Sequence, residues 1–112
     1  TIQERFFANY RREIDYIRRY VFPGGMLPPP SVLKSLGANF GIPLVREKVF
    51  GDDYARTLSV WRDRFRDAWP SLVPLGFDER FRRLWEYYLA YCEAGFLSRN
   101  IDVRQMTFAK SA

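Results

Sequence analysis

The stretch FRRLWEYYLAYCEAGFLSRNIDVRQMTF, residues 81–108, changes its hydrophobic period part-way along. Up to residue 96 the apolar side chains recur every three or four positions, which predicts an amphipathic helix, with Asp78 as its N-terminal cap. Arg99 and Asn100 turn the chain, and from Ile101 to residue 109 apolar and polar residues alternate as in a strand. The helical stripe consists of Phe81, Leu84, Trp85, Tyr88, Leu89, Cys92 and Phe96.

A second long helix is predicted just upstream. Its stripe is Tyr54, Leu58, Trp61, Phe65 and Ala68. Asp52 or Asp53 is expected to cap its N-terminus, and Pro70 is expected to end it, because proline has no backbone N–H to donate. Before this helix, residues 44–50 alternate between apolar and polar side chains, which predicts another strand.

The first part of the chain is predicted to be helical. Residues 4–20 form one amphipathic helix whose apolar stripe is Phe6, Phe7, Tyr10, Ile14, Ile17 and Val21. The helix ends at FPGG, residues 22–25, because Pro23 and two glycines cannot continue it. A short helix follows, which Ser31 opens or caps and Gly37 or Gly41 closes.

The predicted order is therefore helix, short helix, strand, helix, helix, strand, which is an α/β arrangement. Two strands alone rarely make a stable sheet. We expect them to be antiparallel neighbours at the end of a sheet whose other strands lie upstream of Thr1. The chain thus has the pattern of the C-terminal part of a larger α/β domain.

Composition excludes several classes of protein. The chain has 112 residues, of which 47% are hydrophobic and 18% aromatic, enough for a core and too many for a disordered tail. It contains no apolar run of membrane-spanning length and does not begin like a signal peptide. One cysteine and no histidine argue against a disulfide or a transition-metal site, and they exclude Ser–His and Cys–His nucleophiles within the chain.

The net charge of +5 favours anionic partners, and nearly all of the positive charge is arginine. Arginines interleaved with acidic residues, as in WRDRFRD, are also typical of a solvated helix face with local ion pairs. Arginines 5, 11, 12, 18 and 19 recur on the polar side of the first helix. We expect them to give a weak attraction to anionic membranes.

Three motifs occur in order along the chain: YIRRYVFPGGMLP (16–28), DYARTLSVWRDRF (53–65) and the stretch 81–108. Together they resemble the C-terminal part of the cyclopropane-fatty-acyl-phospholipid synthase family, which includes the mycolic acid cyclopropane synthases. The resemblance covers essentially the whole chain. It implies a Rossmann-like class I methyltransferase fold, in which residues 1–112 are the C-terminal segment of a single domain.

The resemblance also implies an activity. The family transfers a methyl group from S-adenosylmethionine to the cis double bond of unsaturated phospholipid acyl chains, and loss of a proton then closes a cyclopropane ring. A bound bicarbonate is the base. The expected location is the cytoplasm, peripheral to the inner face of the membrane, with no nucleic-acid partner and with room for a homodimer.

The motifs assign candidate site residues by resemblance. Tyr54 of DYxRTL is expected to be a ligand of the bicarbonate base, although a tyrosine at the head of an apolar stripe is also an ordinary core residue. The acyl-chain pocket is expected to use Phe22, Leu27, Leu58 and Cys92. Ordinary core packing is the alternative for all four, because a core and an acyl tunnel require the same residue types.

The family's cofactor-binding residues have no counterpart here. The glycine-rich turn and the acidic residue that holds the ribose belong to the first half of the fold. We therefore expect residues 1–112 alone to bind S-adenosylmethionine weakly and to be inactive. The alternative function is a non-catalytic basic helical module that binds anionic lipid or nucleic acid, although no known nucleic-acid motif is present.

Overall fold

The fold consists of five helices and a two-stranded sheet in a computed structural model that describes residues 1–110. The elements in chain order are α1 (Glu4–Arg12), α2 (Tyr16–Tyr20), α3 (Pro30–Asn39), β1 (Leu44–Val49), α4 (Gly51–Leu72), α5 (Glu79–Leu97) and β2 (Arg104–Phe108). A short 3-10 turn, Val73–Leu75, joins α4 to α5. No helix within these residues is long and apolar enough to cross a bilayer.

The two strands pair antiparallel, as the sequence predicts. Their register runs from Leu44 opposite Phe108 to Val49 opposite Arg104, with one irregularity after Leu44. An ion pair between Arg104 and Glu47, 2.6 Å apart, links the strands across one face. Glu47 accepts hydrogen bonds from Arg104 and from Lys34, and both lower the pKa of its carboxyl group, the bond from Arg104 most.

The start of the chain lies beside the approach to β2. Ile2 is buried and forms an isolated antiparallel bridge with Ile101. The backbone N–H of Asp102 donates a hydrogen bond of 2.9 Å to the carbonyl of Thr1. Strand β2 begins only at Arg104, so Ile101 precedes the strand, and the strand predicted over residues 101–109 is shorter than expected.

Helices α4 and α5 form a long antiparallel hairpin that contains most of the core. The buried residues of this core are Ala55, Leu58, Leu89, Cys92 and Phe96. Asp78 caps α5 as predicted, because its carboxylate accepts a hydrogen bond of 2.8 Å from the backbone N–H of Phe81. Of the predicted α4 stripe, Leu58 is buried in this core and Tyr54 and Phe65 pack against it. Trp61 is 45% exposed and Ala68 is exposed, so the second half of the predicted α4 stripe is only partly confirmed.

The prediction of a single helix over residues 4–20 is wrong, because α1 ends at Arg12 and a separate helix, α2, begins at Tyr16. Asp15 caps α2 by accepting a hydrogen bond of 2.8 Å from the backbone N–H of Arg18. An aspartate that satisfies a helix terminus in this way starts a new helix instead of continuing the old one. As a result Ile14, which fits the predicted apolar stripe, is 72% exposed.

Both predicted ends of α4 are also wrong. The helix begins at Gly51 with Phe50 in the capping position, so Asp52 and Asp53 lie in its first turn, where they complement the helix dipole. A side chain at residue 51 would collide with the Asp102 carboxylate, which explains the glycine. Pro70 lies inside the helix, which runs on to Leu72. Pro70 lies in the last turn of the helix, so the backbone hydrogen bond that its missing N–H removes is followed by only two more helical residues.

The short helix α3 starts differently from the prediction. Pro29 occupies its capping position and Pro30 its first turn, where the missing N–H costs nothing. Ser31 is inside the helix and donates its hydroxyl to Glu4 at 2.8 Å, which ties α3 to α1. The helix ends at Asn39, between the two glycines expected to close it.

Candidate functional site

A pocket of about 420 Å³ lies between α2, the FPGG loop, the first half of α4 and the second half of α5. The residues that sequence reasoning selected all line it: Tyr54, Phe22, Leu27, Leu58 and Cys92. Three separate segments supply them, so the folded chain brings together side chains that are far apart in sequence. The volume is within the range of about 300–1,000 Å³ that is common for small-ligand sites.

Tyr54 belongs both to the core and to the pocket wall. It lies in the first turn of α4, and its ring packs edge-on against Phe96 and Trp61, with centroids 5.2 and 5.9 Å away. The residue is partly buried and lines the pocket. The core reading and the site reading of this tyrosine are therefore compatible, because the ring packs while the hydroxyl is a polar group on a pocket residue.

Leu58 of α4 and Cys92 of α5 are buried residues that line the pocket and belong to the same core cluster. Leu58 is almost fully buried. Burial raises the pKa of the Cys92 thiol to about 11, so the thiol is neutral at physiological pH and is no nucleophile. It acts here as a small apolar residue.

Tyr88 is a pocket residue that sequence reasoning did not select. Burial, together with the neighbouring Cys92 thiol, raises the pKa of Tyr88 to about 12. Its ring packs edge-on against Phe22 at 6.0 Å. The signal that could have found it is position, because Tyr88 precedes Cys92 by four residues and so lies on the same helix face.

The FPGG loop carries Phe22 at the mouth of the pocket, and Leu27, two residues after the loop, also lines the pocket. The loop turns through Gly24, whose φ of +81° favours glycine, and the N–H of Gly25 bonds the carbonyl of Phe22 at 3.0 Å. The N–H of Leu27 donates to the hydroxyl of Tyr10 at 2.9 Å, which anchors the loop to α1. Phe22 is 54% exposed and therefore borders solvent as well as the pocket.

The polar side chains of the pocket wall are engaged with backbone groups. The Arg18 guanidinium donates to the carbonyls of Tyr10 and Glu13, both at 2.7 Å. Asp15 caps α2, and Asp102 accepts from the N–H of Val103 at 2.9 Å. A small anion such as bicarbonate fits this wall only in part, because the Tyr54 hydroxyl is one donor and a bicarbonate needs several. Within residues 1–110 no group of His, Cys, Asp and Glu side chains is arranged to hold a metal ion.

Cys92 gives a prediction about chemical reactivity. We expect iodoacetamide to alkylate it at pH 8 about a hundredfold more slowly in the folded protein than in urea, because a pKa of about 11 leaves very little thiolate. The rate should rise as the pH approaches that value. Mass spectrometry of quenched samples measures both rates, and equal rates in the two states would contradict the buried, neutral thiol.

Comparison with known proteins identifies the family. A family model described as mycolic acid cyclopropane synthetase matches residues 1–106. Tuberculostearic acid methyltransferase UfaA1 of Mycobacterium tuberculosis is 44% identical over 96 residues, which are 85% of this chain and 22% of that protein. The cyclopropane-fatty-acyl-phospholipid synthase of Escherichia coli K12 is 35% identical over 97 residues, which are 85% of this chain and 24% of that protein.

The fold agrees with this result. The solved structure of mycolic acid cyclopropane synthase CmaA1 complexed with SAH and CTAB superposes with a TM-score of 0.80 at 27% identity, and the match covers 93% of this chain and 35% of that one. The expected C-terminal portion of a class I methyltransferase fold is thereby confirmed. The chain spans only 22% to 24% of the two curated relatives described above. The family model nevertheless covers nearly the whole of this chain, which therefore belongs to the mycolic acid cyclopropane synthetase family.

Proposed function

We propose that this chain forms the acyl-binding part of an S-adenosylmethionine-dependent methyltransferase that acts on the cis double bond of unsaturated phospholipid acyl chains. The observation that carries the proposal is the mainly apolar pocket lined by Phe22, Leu27, Tyr54, Leu58 and Cys92. The names of the relatives, a fatty-acid methyltransferase and cyclopropane synthases, favour this enzyme over a non-catalytic basic module.

The pocket suits an acyl chain because its wall is mainly apolar. Leu58 and Phe96 are buried at its inner side, and Trp61 borders it further along α4. A methyl group moves from a sulfonium to an alkene only when the two are aligned, and water would trap the cation that forms. Residues of this chain would therefore bind the acyl chain, orient its double bond and keep water out.

S-adenosylmethionine would supply the methyl group, bound mainly by parts of the fold outside residues 1–110. The presence of SAH in the CmaA1 complex supports this choice of cofactor. Bicarbonate, when bound, would supply a small base beside the acyl chain, and the Tyr54 hydroxyl would donate one hydrogen bond to it. Its other ligands would also lie outside this chain.

We also propose that the protein works at the inner face of the cytoplasmic membrane as a peripheral protein. The support is chemical: a phospholipid acyl chain is available only at a lipid surface, and the pocket mouth carries exposed apolar residues such as Phe22 and Met26. A homodimer stays a prediction that analytical ultracentrifugation of the purified protein can test.

The test of the proposed function is a transfer assay on the full-length protein that contains this segment. With methyl-labelled S-adenosylmethionine, we expect label to enter vesicles of cis-unsaturated phospholipid and to stay out of matched saturated vesicles, since only the former offer an alkene. Mass spectrometry of the released fatty acids distinguishes a cyclopropane from a methyl branch. Absence of transfer, or equal transfer to both lipids, would contradict the proposal.

A further inference from the structure

A basic arm adjoins the mouth of the pocket. We define the arm as residues 11–26, from the end of α1 through α2 and the FPGG loop. Its arginines are Arg11, Arg12, Arg18 and Arg19, set against only two acidic residues, Glu13 and Asp15. Among residues 1–110 none of these arginines forms an ion pair, whereas the α4–α5 hairpin has pairs such as Arg62–Glu93 and Arg66–Glu86. The arm therefore keeps an excess of positive charge.

Aromatic rings support three of these arginines. The guanidinium of Arg11 lies 5.7 Å from the ring centre of Phe7, and that of Arg19 lies 5.4 Å from the ring centre of Tyr20. Arg18 lies similarly over Tyr10 at 5.2 Å. A guanidinium stacked on a ring keeps its charge, and its outward N–H groups can still bind phosphate. This applies to Arg11 and Arg19, whereas Arg18 already donates to the carbonyls of Tyr10 and Glu13 and contributes mainly its charge.

Large apolar side chains are exposed among the same arginines. The exposed fraction is 72% for Ile14 and between 51% and 55% for Tyr20, Phe22 and Met26. Phe22 and Met26 also line the pocket, so the exposed apolar surface continues into the site. Cations combined with exposed aromatic and aliphatic side chains are typical of segments that lie in a lipid interface.

We propose that the arm docks the protein on an anionic lipid surface, where its arginines contact lipid phosphates and its exposed apolar side chains enter the interfacial layer. Charge complementarity and the continuity with the pocket favour a bilayer over an acidic protein, which would match the arginines and leave Ile14 in water. The inference rests on the proposed function in one respect, namely that the pocket receives its acyl chain from this surface.

Docking in this way would place the pocket mouth against the lipid. An acyl chain could then pass from the bilayer along Phe22 and Met26 toward Leu58 without crossing bulk water. Exposure of an acyl chain to water is unfavourable in proportion to its apolar area, so a shielded path favours entry.

Vesicle sedimentation of the full-length protein tests the arm. The probes are phosphatidylcholine vesicles with and without phosphatidylglycerol, at low salt. Removing three arm charges, with Arg11→Gln, Arg12→Gln and Arg19→Gln, is expected to weaken binding to the anionic vesicles by about 10- to 100-fold. The matched control removes three exposed, unpaired arginines of the hairpin, Arg56→Gln, Arg64→Gln and Arg80→Gln, and is expected to change binding by less than about threefold.

A second variant, Ile14→Ser, tests the apolar contribution. It keeps every charge, so we expect weaker binding to neutral and anionic vesicles alike. The docking proposal is overturned if the control arginines matter as much as those of the arm, if wild-type protein sediments equally with both vesicles, or if it binds an acidic protein and no vesicles.

Failure of docking and failure of the proposed function are separable. Methyl transfer to unsaturated phospholipid dispersed in a neutral detergent does not need an anionic surface. Arm variants that keep this activity and lose vesicle binding support docking. Wild-type protein that binds anionic vesicles through the arm but transfers no methyl group in detergent would contradict the proposed function and leave docking standing.

Discussion

Replacing Tyr54 by phenylalanine in the full-length protein is expected to lower turnover by about tenfold to a hundredfold and to leave folding almost unchanged. The ring keeps its contacts with Phe96 and Trp61, so only a hydroxyl is lost. A positioned base typically contributes about 10²- to 10⁴-fold to a rate, and loss of one of its several ligands should cost less than the whole. The measurement is turnover with labelled S-adenosylmethionine at saturating lipid.

The matched control is Tyr87→Phe. Tyr87 is on α5, is largely exposed and does not line the pocket, so loss of its hydroxyl should not affect turnover. Added bicarbonate should partly restore the Tyr54→Phe variant, because a weakened site fills at higher concentration. Wild-type turnover for Tyr54→Phe would show that Tyr54 is a core residue and nothing more.

Replacing Leu89 by alanine is expected to lower the free energy of unfolding by about 2–5 kcal/mol. Leu89 is only 3% exposed and packs in the core between α4 and α5. Removing its branched end leaves a cavity that the facing helix fills only in part. Single domains are stable by about 5–15 kcal/mol in total, so this one change should remove a large share. Urea unfolding followed by circular dichroism measures the difference.

Leu97→Ala is the control for that experiment, because Leu97 is on the same helix and is 65% exposed. Its loss should change stability by about 0.5 kcal/mol or less. Similar losses for Leu89→Ala and Leu97→Ala would mean that the α4–α5 interface is not the main source of stability.

Periodicity and capping predicted the long helices and both strands, because these signals are local. Asp78 caps α5 by accepting a hydrogen bond from the N–H of Phe81, only three residues later in the sequence. The apolar spacing of α5 is likewise a property of the helix sequence alone. The break after Arg12 escaped prediction because Ile14 and Ile17 have the spacing of a continuous helix. The backbone N–H of Arg18 donates instead to the carboxylate of Asp15, which caps a second helix. Pro70 misled for a similar reason, since a proline in a final turn breaks little.

The candidate site was less predictable than the fold. The apolar stripes place Leu58 on one face of α4 and Cys92 on one face of α5, but they do not say whether these faces meet a core or a pocket. In the structure both residues belong to the core and line the pocket. Phe22 and Leu27 lie in a loop with no periodic signal, so the family motif alone selected them. The contact between Phe22 and Tyr88 joins distant segments of the chain, which no local pattern encodes.

The sheet joins parts of the chain that are synthesised far apart in time. Arg104 and Glu47 are 57 positions apart, and Thr1 and Asp102 are 101 apart. Contacts this distant in sequence form slowly, whereas the neighbouring helices of the α4–α5 hairpin can meet early. During synthesis on a ribosome, the edge of β1 that pairs with β2 therefore stays unpaired until β2 has been made, and an unpaired strand edge promotes aggregation. We expect nascent chains to pass through a state with a formed hairpin, an open sheet and no finished pocket.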